Sequence, residues 1–148
     1  MGKFRYRLAP LLKIRENIRS EKQAELAKAY QAAKIVEEQL ERVNSEIAAN
    51  ADKGRQLLKQ ERLSVDSLLA FRRHEAYLLT QRNHAEGQLE QIKQEIERRR
   101  IALMEADREV KVLEKLREKA KLRHDHAEAL ADMKQMDEVA GRTNKLQQ

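Results

Sequence analysis

Residues 26–47 read LAKAYQAAKIVEEQLERVNSEI, and the spacing of their apolar side chains decides the fold. Leu26, Ala29, Ala33, Val36, Leu40, Val43 and Ile47 follow alternating steps of three and four, with every position apolar. Such steps line one face of an α-helix, because about 3.6 residues complete a turn. Sustained this long, the pattern is a coiled-coil seam that needs a facing helix. A second series supplies it: Phe71, Leu78, Ala85, Leu89, Ile92 and Ile96, continuing through Leu103, Ala106, Val110, Leu113, Ala120, Ala127 and Ala131. Glu75, Arg82, Arg99, Arg117 and His124 interrupt it. Upstream of Leu26 the first register meets Arg15, Arg19 and Lys22, and a neighbouring stripe of Leu11, Ile14 and Ile18 is expected to take over.

Composition agrees with long helices and excludes most alternatives. The chain has 148 residues, 38% charged and 3% aromatic, with one Pro, four Gly and no Cys or Trp. Large side chains contribute roughly 1.5–3 kcal/mol each on burial, and there are too few here to fill a sandwich, a barrel or a doubly wound sheet. Abundant Ala, Glu, Lys, Leu and Arg marks coiled coils, while scarce Pro and Gly argues against disorder. The absence of Cys removes disulfides and thiolate metal sites and fits a reducing compartment. No apolar run approaches the ~18 residues that span a bilayer, and none follows the basic start in the manner of a signal peptide. A soluble cytoplasmic protein is the expectation.

Between the two series the pattern fails. Asn50, Asp52 and Gly54 weaken the first helix, and Ser64, Val65, Asp66 and Ser67 hold cap-type residues. The Ser64 hydroxyl suits an N-cap, and Asp66 complements the helix dipole. Pro10 fits a helix only in its first turn, and Gly141 reads as a stop. The expected architecture is all-α: a single elongated domain formed by a long antiparallel two-helix coiled-coil hairpin. Helix one spans about 10–58, a turn about 59–64, helix two about 65–140, and residues 141–148 form a frayed tail. A short loop closes at little entropic cost, so the helices pair within one chain. Pairing positions should total about 122 in residue number, over a length on the order of 75 Å. The last turns of helix two overhang.

Charge is uneven. Residues 1–22 hold seven basic and two acidic side chains, and residues 98–123 hold ten basic and five acidic ones. The hairpin brings the two stretches together at its open end, which makes that end the candidate electrostatic docking surface. Catalytic patterns are missing: there is no Gly-rich phosphate loop and no nucleophile with a partnered base. His124, His126 and Glu128 do not make a metal site, because the two His lie on different faces of a helix. His74 and His84 read as solvated. No enzyme activity, cofactor or metal is expected. Nucleic-acid binding is the reading from another class, but no aromatic stacking platform accompanies the basic residues.

The first residues, KFRYRLAPLLKIRE from Lys3, place Phe4, Tyr6, Leu8, Leu11, Leu12 and Ile14 among basic side chains. Such a stretch can pack on helix two, lie on anionic lipid, or serve as a set of interface anchors. The pattern F-x-Y-x-L-x-x-L-L-x-x-R, at Phe4, Tyr6, Leu8, Leu11, Leu12 and Arg15, resembles the opening of the flagellar export protein family FliJ. Glu114, Lys115 and Leu116, then Lys134, Met136, Asp137, Glu138, Ala140 and Arg142, resemble its closing E-K-L and K-x-M-D-E-x-A-x-x-R patterns. Phe71 to Leu79 (FRRHEAYLL) is in the same style. The resemblance implies a stalk-like coiled coil of the flagellar type III export apparatus, on the cytoplasmic side of the membrane. Its partners would be a hexameric FliI-like export ATPase, a FlhA-like export gate and export chaperones. The open end, with Phe4, Tyr6, Leu8, Leu11, Arg15, Arg117 and Arg142, would enter the ATPase ring. The tip, with Leu57, Leu68, Phe71 and Tyr77, would face the gate. The equivalent stalk of a virulence-type secretion system is the alternative within this class.

Overall fold

The computed structural model describes residues 2–147. Two long helices make up nearly all of it: α1, Ala9–Leu58, and α2, Val65–Leu146. No strand occurs among the described residues, and the fold is an all-α helical hairpin. Pro10 sits in the first turn of α1, where its missing N–H costs nothing. The Ser64 carbonyl accepts from Leu68 N at 3.1 Å, and its hydroxyl lies 3.5 Å from Ser67 N, so Ser64 caps α2.

The contacts fall into two compact units: residues 23–102, and the chain up to Lys22 together with the chain from Leu103 onward. In the first unit Ala29, Ala33 and Val36 of α1 and Leu78 and Ala85 of α2 are buried. This seam is built largely from small side chains. Polar groups interrupt it as the sequence has them. The Arg99 guanidinium donates to the Glu25 carbonyl oxygen of α1. Arg82 Nε is buried without a hydrogen bond, and the Glu86 carboxylate stands 3.9 Å away. In the second unit Leu12, Val110 and Leu113 form a buried cluster with Tyr6 and Leu8 packed against it.

Four expectations are corrected. The register of α1 does not pass to a neighbouring stripe above Leu26, although Ile18 of that stripe is half-buried: Leu12 is buried, Arg15 and Arg19 are half-buried, and Leu11 and Ile14 are exposed. The arginines hold the seam because each finds a carboxylate across it, Arg15 on Glu109 at 2.7 Å and Arg19 on Asp107 at 3.1 Å. Second, Asn50 and Gly54 do not weaken the end of α1. They continue the three-and-four spacing beyond Ile47, and both are buried. Third, α2 does not stop at Gly141. No described residue takes positive φ, so no left-handed cap ends the ladder there, and Thr143 Oγ1 donates to the Val139 carbonyl at 2.8 Å. Fourth, paired positions total 124 for Arg15–Glu109 and Glu25–Arg99 and 125 for Gly54–Phe71, not 122. The connection occupies residues 59–64 and so centres just after position 61, which accounts for part of the difference.

Candidate docking surfaces

Residues 2–8, which precede α1, form a strap over α2. Tyr6 Oη donates to the Leu113 carbonyl oxygen at 2.9 Å, and the Phe4 ring lies tilted on the His124 ring at 5.6 Å. His124 Nε2 is 3.1 Å from the Gly2 carbonyl oxygen and 3.3 Å from Glu128 Oε1. Leu8 packs on the Leu12, Val110 and Leu113 cluster. Within the chain itself, the first residues pack on helix two. Phe4, Tyr6 and Leu8 are half-buried and hold the strap down. The apolar side chains left outward on the first turns of α1 are Leu11 and Ile14.

The charged residues divide in the same way. Arg15 is tied to Glu109, while Arg117 and Arg142 are exposed. Arg117 lines a shallow groove with Phe4, Tyr6, Lys13 and Glu16. Asp107 receives both Lys111, at 2.8 Å, and Arg19; hydrogen bonds from Lys111 first and then Arg19 hold its carboxyl below the usual aspartate range. Beside the seam, Asp107 and Glu109 are both paired with cations of the chain itself.

At the other candidate surface, Leu57 and Leu68 are half-buried. Phe71 turns inward, its ring seated on the backbone of Gly54. Tyr77 is exposed, its hydroxyl 2.6 Å from Gln81 Nε2 and its ring stacked near His74. Tyr77 is the member of this set that presents itself to solvent.

The sequence profile of the family described as flagellar FliJ protein matches residues 4–148. The chain belongs to the FliJ family. No curated protein and no solved structure matches it. As a FliJ-family member it is a protein associated with flagellar export. The match begins at Phe4, so Phe4, Tyr6 and Leu8 of the strap lie inside the family region. Among the described residues of this FliJ-family chain, no helix is long and apolar enough to cross a membrane, and no three His, Cys, Asp or Glu side chains group as metal ligands. Sequence reasoning left the inward role of Phe4 and Tyr6 as one of three readings, and it missed the apolar face on the last turns of α2. The exposed positions of Leu11 and Ile14 could have been found by extending the α1 register unbroken through Arg15 and Arg19.

Proposed function

We propose that the protein is a non-enzymatic, stalk-like component that engages a FliI-like export ATPase ring with the unit containing its strap. In this reading the tip carrying Tyr77 meets a FlhA-like export gate or export chaperones, and the protein works on the cytoplasmic face of the membrane. The family membership supports the setting. The observation that carries the ring assignment is the pairing of basic and apolar groups on one unit. Residues 1–22 and 103–123 together hold fourteen basic and seven acidic side chains, and Leu11 and Ile14 are exposed among them. Long-range attraction brings such a surface to an acidic wall, and a few desolvated apolar contacts hold it there.

Stimulation of ATP hydrolysis by the partner ATPase tests this. Replacing Leu11 and Ile14 together by Ala removes two solvent-facing side chains, so helicity by circular dichroism should be unchanged. Half-maximal stimulation should then need a markedly higher concentration, by ~1 kcal/mol or more for each side chain that is a buried anchor. Full stimulation at the wild-type concentration would refute the assignment and move attention to Tyr77.

A further inference from the structure

The last turns of α2 carry an apolar stripe that no part of the chain covers. The seam side of α2 beyond His124 has Ala127, Ala131, Lys134, Glu138 and Gly141, which are small or charged. The opposite side repeats in steps of four and three: Leu122, His126, Ala129, Met133, Met136 and Ala140. These residues are exposed, Leu122 at 69%, Met133 at 63% and Met136 at 74%. Leu130 and Val139 flank the stripe and are exposed as well. Heptad spacing on a solvent face marks a second coiled-coil seam with no partner in the monomer.

We propose that this face pairs with the same face of a second copy, antiparallel, about a two-fold axis near residue 131. The stripe is symmetric about that point. Turned end for end, Leu122 meets Ala140 of the partner copy, His126 meets Met136, and Ala129 meets Met133. A seam that matches its own reverse closes as a dimer rather than growing into a filament. The flanking charges fit the same register. Arg123 falls opposite Asp137 of the other copy, twice by symmetry, and neither has an ion-pair partner within the described chain. Leu130 meets its own counterpart across the axis. Asp132 also meets its counterpart, which opposes association. The overlap from 122 to 140 spans about 27 Å. So short a seam, rich in Ala and crossed by one like-charge pair, gives a dimer that forms and dissociates with concentration. The strap lies on the other side of α2 and does not obstruct it.

Sedimentation of the full chain from about 1 μM to about 500 μM brackets micromolar affinities. The mass should rise from one 17.3 kDa chain toward two. Met133→Glu with Met136→Glu should hold it at one chain throughout. Arg123→Asp and Asp137→Arg should each raise the dissociation constant about tenfold, and the two together should restore it. The chain has no Cys, so Leu130→Cys gives one thiol per copy. Under mild oxidation it should form a disulfide between copies, while Leu146→Cys should not. A mass of one chain at every concentration overturns the proposal. Dimerisation that survives the Met133 and Met136 changes, or a charge swap that fails to rescue, overturns this register and interface.

Discussion

Gly54 is a buried residue in the interior of α1, and its lack of a side chain is what lets Phe71 in. A methyl carbon added there would lie 2.9 Å from Phe71 Cε2 and 3.1 Å from Cε1, with Cζ nearer still. Two effects compete in Gly54→Ala. Helix propensity gains about 1 kcal/mol, while overpacking costs about 1–3 kcal/mol. The ring is held between two long helices, so we expect overpacking to win and the melting temperature to fall. Phe71→Leu makes room, so it should cost less in the Gly54→Ala background than alone. A double-mutant cycle reads that coupling directly, and additive losses would contradict the packing described here. This position also shows where a sequence can mislead. The spacing Ile47, Asn50, Gly54, Leu57 keeps the heptad, but a polar residue and a glycine read as the end of a helix. Period was the better guide than residue type, because a coiled-coil position is fixed by the facing ring and not by its own propensity.

At the scale of elements, both helices and their connection were legible because hydrophobic period and the Ser64 cap are local signals. The strap was not. Phe4 and Tyr6 precede the first periodic residue, and nothing in their spacing says whether an aromatic points to solvent or folds back on a helix more than a hundred residues away. What holds the strap is long-range: one hydrogen bond from Tyr6 to the Leu113 carbonyl, the Phe4 and His124 rings, and Leu8 on the buried cluster. The outward stripe on the last turns of α2 was hidden for a related reason. The seam register continues through Ala127 and Ala131, and that continuation draws the eye away from the opposite face. The strap makes a definite prediction. Tyr6→Phe keeps the ring and loses the hydroxyl, which should cost about 0.5–1.5 kcal/mol. Hydrogen exchange should speed up around residues 4–12 and leave the Ala29 to Val36 stretch of α1 unchanged. Equal acceleration in both places would mean that the hydroxyl supports the whole fold rather than the strap.

For the molecule as a whole, the excess positive charge gathers on one of the two units. The formal net charge is +6, and residues 23–102 hold fourteen basic side chains against thirteen acidic ones. Almost all of the excess therefore belongs to the unit with the strap. Long-range steering depends on that excess, whereas the strength of the final complex depends on the contacts made after docking. If that unit enters the ATPase ring, reversing Arg117 or Arg142 should slow association several-fold at low salt and leave dissociation nearly unchanged. Both side chains are exposed, so the fold should be unaffected. Near 1 M salt, where screening acts over about 3 Å, the variants should associate as the wild type does. Arg15→Glu should behave differently. It breaks the pair with Glu109 and sets two carboxylates face to face beside the buried Leu12, Val110 and Leu113 cluster. That change should lower thermal stability in addition to slowing association, and salt should recover only part of the loss. Stopped-flow association with the ATPase, run beside thermal melts, separates the two kinds of arginine. If Arg117 and Arg142 reversals alter dissociation and leave association alone, the basic unit is not steering the encounter and docking lies elsewhere on the chain.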